Sequence, residues 1–249
     1  NTRIYVAQLW LQEKGMEGEP LVAVDIACGS GQGTQALALQ FDRVLGTDIS
    51  PGQIGEAQKL SHADNITFQV GTAEHIDAKD DSVDVVFCNM AIHWFNRDKF
   101  FAEVKRVLRT DGVLAISAFS GAGVEWPLNV DSSKKEQFLA ACKKFLDGIM
   151  PYFDPAIGLY MRNYVDIHPL PGFKDTQYRT DLYGRRSTTV RTQLENLKTT
   201  SAYNTLLAKD PEQANQLVAE LETGLSQAFP NLDTVLEFQY DIILLLGRV

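Results

Sequence analysis

The sequence predicts an open α/β fold carrying a helical cap. Three observations point there. An apolar run at 21–26 breaks into the glycine-rich turn CGSGQG, and short apolar runs then alternate with helix-patterned stretches as far as residue 120. Beyond 120 that rhythm gives way to amphipathic helical segments.

Each element follows from its own pattern. The run 21–26 reads as a buried parallel strand, since the glycines after it break the strand and start a turn. Helix formers at 34–41 and strand character at 43–48 complete a βαβ unit. The alternation continues with a helix at 52–62, strands at 66–70 and 83–88, a helix at 97–108 and a strand at 112–119, with 108–112 as helix end and turn. Parallel neighbours need crossovers, so helices should cover both faces of the sheet. The stretch 4–13 is also helix-like.

After the loop GAGVEWPLN, Phe138, Ala141, Phe145 and Ile149 recur at helical spacing within 133–150. Pro151, Pro155, Pro169 and Pro171 divide the region that follows, and 173–181 reads as a strand. Helices are expected at 189–207 and 211–229, the latter with Asp210 as cap and Pro211 in its first turn. The terminal 234–249 reads as one bent strand or a hairpin. The expected organisation is a single domain over 1–249, with a core of 21–120 plus strands near 173–181 and 234–249. The cap then comprises 121–172 and 184–230.

Composition narrows the function. With 32 acidic against 23 basic residues, the formal charge is −9, and no dense Lys/Arg run offsets it, which argues against nucleic-acid partners. Cys28, Cys88 and Cys142 show no paired spacing of a zinc site or disulfide framework, which favours a cytoplasmic setting. No apolar run is long enough to span a bilayer. The expected partner is a small molecule, with the chain a monomer or homodimer.

The sharpest local signal is the stretch Asp25-Ile-Ala-Cys-Gly-Ser-Gly-Gln-Gly33 after the first strand, with Ala27 on the same turn. Gly29 and Gly31 would let the chain approach a ligand without a Cβ clash, and Gly33 would permit close helix packing. Thr34 occupies the last position of the dinucleotide pattern G-x-G-x-x-G, so the turn is either a ligand cradle or a tight connection. Asp48 ends the second strand, where its carboxylate either accepts two ribose hydroxyls or caps the helix after Ser50-Pro51. In GTAEHI, Glu74 and a backbone amide could address an adenine edge between Ile49 and Ile76, or Glu74 is a solvated turn residue. Asn89 ends the fourth strand on the ligand side of the sheet, or serves as a loop-stabilising amide.

The stretches VDIACGSGQGT, GTDIS, GTAEHI and FCNMAIHWFN resemble the successive motifs of class I S-adenosylmethionine-dependent methyltransferases, in the broad group that includes the type 11 domain. HWF and the later LKTTSAY are similar to a small-molecule branch containing trans-aconitate methyltransferase-like enzymes. The resemblance implies a Rossmann-like seven-stranded sheet with the last strand antiparallel and S-adenosyl-L-methionine as cofactor. It implies that Asp25 orients the methionine end, Gly29 and Gly31 line the cofactor, Asp48 binds ribose, and Ala73 and Glu74 lie near adenine. The branch often carries Trp where Thr200 stands, and usually has a lid segment with aromatic and arginine residues ahead of position 1.

Methyl transfer from a sulfonium is an in-line displacement that asks for alignment and exclusion of water, with acid or base groups optional. His93 is the candidate proton acceptor, with a packing or loop-anchoring role as its alternative. Trp94 and Phe95 either wall the site or fill the core. Trp126, Tyr152, Tyr160 and Tyr164 supply cap aromatics suited to a flat or apolar substrate, and Arg162, Arg179, Arg185 and Arg186 are carboxylate binders or surface residues. Cys28 reads as packing beside the turn, and no metal site is expected from Asp25, Asp48 and Asp84. The expected reaction is methyl transfer to an oxygen of a small carboxylic or hydroxylated metabolite. The alternatives are a cyclase or rearrangement catalyst on the same fold, and a non-catalytic ligand-binding module.

Overall fold

A computed structural model describes residues 20–61, 63–120 and 126–249, with Trp126 described by its backbone alone. The helix expected at 4–13 lies outside these residues, as does the side chain of Trp126. In chain order the elements are β1 (Val22–Ile26), α1 (Gln32–Leu37), β2 (Arg43–Asp48), α2 (Pro51–Leu60), β3 (Ile66–Val70), β4 (Val83–Asn89), α3 (Arg97–Val107) and β5 (Leu108–Phe119). There follow β6 (Trp126–Pro127), α4 (Ser132–Ile149), α5 (Ile157–Met161), β7 (Lys174–Thr189), α6 (Val190–Lys198), α7 (Ser201–Lys209), α8 (Pro211–Ala228) and β8 (Val235–Arg248).

The chain divides into two compact units, one of Asn1–Gly121, Gly158–Leu182 and Ile242–Val249, the other of Ala122–Ile157 and Tyr183–Asp241. Residues 158–172, expected in the cap, belong instead to the sheet-bearing unit. The reason is apolar: Leu159, Tyr164, Ile167 and Leu170 are buried in the same cluster as Val86, Phe100 and Ile116.

In the first unit β1 lies between β2 and β4, all three parallel, with β3 beyond β2 and β5 beyond β4 in the same direction. β8 then runs antiparallel to β5, from Val113↔Arg248 to Phe119↔Ile242, and β7 also pairs with β8. This is the predicted Rossmann-like sheet with its last strand reversed. Every residue of β4 except Asn89 is buried, as a strand covered on both faces requires.

Local chemistry sets the limits of each element. α2 starts at Ser50, whose hydroxyl accepts from Gln53 N–H, with Pro51 in the first turn. The turn expected at 108–112 is absorbed into β5 as a bulge. Pairing jumps there from Val83↔Leu108 to Val85↔Val113, and Asp111 has φ 64°. A Cβ on Gly46 would lie 2.7 Å from Phe68 Cδ1, so β2 needs glycine there for the Phe68 ring to pack.

In the second unit α4 buries Phe138, Cys142, Phe145 and Ile149 in one cluster with Leu221 and Leu225 of α8. The helix expected over 189–207 is two helices, because Thr200 caps a fresh start by accepting from Tyr203 N–H. Asp210 caps α8 through Gln213 N–H. β7 runs eight residues past the strand expected to end at 181, reaching Thr189, and β8 is one strand, which settles the choice left open for the C terminus.

Gly46→Ala should lower unfolding stability by about 1–3 kcal/mol through overpacking against Phe68, read as a lower urea midpoint at unchanged m-value. Adding Phe68→Leu should recover part of that loss; a double variant no better than Gly46→Ala would show that Phe68 is not the clash.

Candidate functional site

The ends of β1, β2 and β4 form one rim of the sheet. Two of them turn there in backbone conformations that L-residues seldom adopt: Ala27 after β1 has φ 56°, and Met90 after β4 has φ 57°. Gly29 and Gly31 follow with φ 56° and 82°. The turn 27–31 is fastened to β2 twice. Cys28 N–H donates to Thr47 O at 2.9 Å, and Gly29 N–H donates to Asp48 Oδ2 at 2.9 Å.

Asp48 therefore organises the rim, since its other oxygen accepts from Ser50 N–H at 2.9 Å. It is Ser50, not Asp48, that caps α2. An ionised carboxylate has about four lone-pair sites, so these two bonds leave capacity for hydroxyl donors.

The three glycines divide by what a Cβ would meet. At Gly29 the nearest atom is Gln53 Oε1 at 3.9 Å, so this position is open to a ligand. Gly31, expected to line the cofactor, is buried, and its Cβ would lie 2.7 Å from Phe68 Cζ; it is a packing glycine. At Gly33 a Cβ would lie 3.2 Å from Asp25 Oδ2, so this glycine makes room for a buried carboxyl.

Asp25 is 2% exposed and accepts the Thr34 hydroxyl at 2.6 Å. Burial lifts its pKa to about 7, partly offset by the Thr34 bond and reinforced by the Asp48 charge. Burial, with the fields of Asp25 and Asp48, likewise pushes the Cys28 thiol up to about 12, which keeps it protonated and not nucleophilic.

Beside the rim lies a recess of about 190 Å³ lined by Ile26, Ala27, Ile49, Thr72, Ala73, Glu74 and Trp94 among others. Whole-ligand pockets run to about 300–1,000 Å³, so this one suits a flat ring and not a complete nucleoside with an amino-acid tail. Trp94 and Ile49 keep 51% and 71% exposure, so both present apolar surface to an incoming ring. Trp94, expected beside substrate, thus sits with the residues expected near adenine. Glu74 Oε1 accepts from Asn96 N–H at 2.8 Å and ties the 71–76 segment to the start of α3, so it is more than a solvated turn residue. Ile76, expected to flank adenine, is 1% exposed and belongs to the core.

Asn89 Oδ1 accepts the Ser117 hydroxyl at 2.9 Å, which binds the ends of β4 and β5. His93 is 6% exposed, and its Nδ1 lies 2.8 Å from Tyr164 Oη. Tyr160 is half-buried against the same imidazole, with ring centroids 5.8 Å apart. Arg162 is committed elsewhere: its Nε donates to Asp166, four residues on, at 2.6 Å on the exposed surface. Arg179 is similarly paired with Asp181. Sequence reasoning did not identify Thr34, Thr72 or the pairing of Tyr164 with His93. A hydroxyl nine residues after Asp25 was the only available signal for the first.

The residues present fit S-adenosylmethionine: an open Gly29, a carboxylate with spare lone pairs 2.9 Å from it, and an apolar recess alongside. Comparisons with known proteins agree. Residues 24–116 match a methyltransferase domain family. A Dictyostelium discoideum protein named as a methyltransferase is 34% identical over 167 residues, 64% of this chain and 56% of that protein. The malonyl-[acyl-carrier protein] O-methyltransferase of Hahella chejuensis is 39% identical over 106 residues, 41% of this chain and 37% of that protein. The matches thus span about half or less of these relatives' length. A solved Anaeromyxobacter dehalogenans structure described as a type II methyltransferase superposes with a TM-score of 0.78 at 26% identity, covering 98% of this chain and 95% of that one. With this sheet order, this rim and these relatives, residues 24–116 carry a methyltransferase domain, and the fold is that of class I S-adenosylmethionine-dependent methyltransferases.

Proposed function

We propose that this chain transfers the methyl group of S-adenosylmethionine to an oxygen of a small carboxylic or hydroxylated metabolite. The observation that carries this reading is the pairing of Gly29 with Asp48 at the rim, beside the apolar recess. On this reading Asp48 accepts the ribose hydroxyls, and Ile49, Ala73 and Trp94 hold the adenine, with Glu74 fixing that segment. Ala27 and Gly29 pass along the methionine portion, with Asp25 beneath it, and Asn89 holds the far side of the rim. When bound, the cofactor supplies an electrophilic methyl carbon on a sulfonium.

His93 and Tyr160 stand on the acceptor side of this arrangement. Transfer to oxygen is favoured by the Hahella relative, which is by name an O-methyltransferase of a malonyl thioester. Arg162, bound by Asp166, and Trp126, whose side chain is not described, play no part in the reading. No helix among the described residues is long and apolar enough to cross a membrane.

Asp48→Ala should weaken S-adenosylmethionine binding by about ten- to a hundredfold in calorimetry, the loss expected when two charge-assisted hydrogen bonds to hydroxyls disappear. Asp48→Asn should lie between. Unchanged affinity in Asp48→Ala would end the assignment, and transfer of labelled methyl to product would separate methylation from ring formation or rearrangement.

Asp25 gives a pH signature. Its folded-state pKa is about 7 against an ordinary 3.8, so below 3.8 both states hold the proton. Between 3.8 and about 7 only the folded state does, and stability falls as pH rises. Asp25→Asn should flatten the urea midpoint across that interval. A parent chain whose midpoint does not fall there would show that Asp25 titrates normally.

A further inference from the structure

His93 follows β4 in a 3-10 turn, Ile92–Trp94, and its ring is enclosed by Trp94, Tyr160 and Tyr164 at centroid distances of 4.9, 5.8 and 6.0 Å. One proton lies on the 2.8 Å line between His93 Nδ1 and Tyr164 Oη. Either the phenol donates to a bare Nδ1, or an Nδ1–H donates to the phenol oxygen. In the second case the phenol proton needs another acceptor. Tyr164 is 0% exposed, and its oxygen has no partner but His93 among the described residues. A buried O–H without an acceptor forfeits its full hydration, so the first arrangement prevails.

The neutral imidazole then carries its proton on Nε2. That nitrogen has no partner among the described residues, yet it is not one of the buried polar atoms sealed from solvent. Its N–H is what the imidazole offers to a ligand.

We propose that Tyr164 locks His93 as an Nε2–H donor, so that His93 holds an oxygen of the methyl acceptor and takes no proton from it, and that the acceptor is an ionised carboxylate. This rests on the methyl-transfer reading above. The sequence-based expectation of His93 as proton acceptor is thereby reversed.

The balance of the reaction supports the choice. When a carboxylate oxygen bonds to the methyl carbon, the carbon–sulfur bond breaks and its electron pair stays on sulfur. An anion and a sulfonium become a neutral ester and a neutral thioether, and no proton is released. A hydroxyl acceptor would release one, and the open nitrogen of His93 is already protonated. Asp25, the buried carboxyl under the rim, is shut off from solvent and bonded to Thr34, and the Asp48 carboxylate is engaged by Gly29 and Ser50 N–H groups.

Two further observations agree. Burial lowers the His93 pKa and raises that of Tyr164, with Cys88 and Tyr160 reinforcing the latter, so both partners stay neutral. Asn163 and Tyr164 are consecutive non-glycine residues with φ 56° and 59°, a conformation kept only where surroundings impose it. Tyr178 Oη donates to Asn163 O at 2.9 Å, and the Ser120 hydroxyl donates to Asn163 Oδ1 at 3.3 Å, which holds the bend that drives Tyr164 inward. Tyr164 is thus a positioning residue acting through His93.

Nitrogen NMR of the full chain, labelled at histidine and saturated with S-adenosylhomocysteine, reads the tautomer directly. His93 should show a protonated Nε2 and a hydrogen-bonded, unprotonated Nδ1 from about pH 6 to 8, and Tyr164→Phe should release it to a mixture. A protonated Nδ1 in the parent, or nitrogen shifts unmoved by Tyr164→Phe, overturns the proposal. With malonyl-coenzyme A as acceptor probe, His93→Gln, which keeps an N–H donor but no base, should retain most of the labelled-methyl transfer. His93→Ala should lose at least about tenfold in kcat/KM. Equal loss in both variants counts against the donor role. A parent chain that binds S-adenosylmethionine but methylates no acceptor refutes the functional reading and leaves the NMR result to stand on its own.

Discussion

The Asp48 carboxylate is the constraint on which the site depends. It accepts N–H groups from Gly29 and Ser50, and so joins the turn after β1 to the start of α2 across the end of β2. The turn needs such a clamp because it passes through left-handed backbone at Ala27, Gly29 and Gly31. A segment in that conformation holds its shape only when its surroundings fix it. The same residue therefore shapes the turn and keeps lone pairs that neither N–H group uses.

The recess beside the cradle is secured in the same manner, by side chains that bond distant backbone. Glu74 accepts from Asn96 N–H, and Glu103 accepts from Ile76 N–H at 3.0 Å. Arg106 donates to the carbonyls of Ile76 and Ala78 at 2.8 and 2.9 Å and to the Glu103 carboxylate, whose pKa it holds down at about 2. Segment 71–78 has no regular secondary structure, yet α3 pins it along its length. Binding surfaces built on irregular backbone need this external support to stay in register with the sheet.

What the sequence disclosed follows the range of the interactions involved. Strands β1 to β4 were legible because an apolar run bounded by glycine or a polar turn is a local signal. Asp48 could be singled out because it ends a strand on the side of the sheet where open α/β folds place ligands. The crowding at Gly31 was not legible: besides its left-handed backbone, a Cβ there would meet Phe68, on a strand two crossovers away. Residues 158–172 were placed with the cap because their prolines suggested a loop, whereas Leu159, Tyr164 and Ile167 pack into the sheet core through contacts that no periodicity reports. Arg162 looked available until Asp166, four residues on, claimed it. The break at Thr199 and Thr200 was written locally as a threonine cap, but apolar residues on either side concealed it.

Four titratable groups near the rim share one property that bears on the proposed chemistry. Burial favours the neutral form of Asp25, Cys28, His93 and Tyr164 alike. A site meant to deprotonate a hydroxyl would need a base poised near neutral pH and open to substrate. Asp25 has the right pKa but is closed off, and His93 presents a proton where a base would present a lone pair. Neutral surroundings suit a different task. When an anion meets a sulfonium, the transition state carries less charge than the separated reactants, so a weakly polar site resists the reaction less than water does. Shielding of these groups from ionisation is then part of the chemistry and not only a consequence of packing.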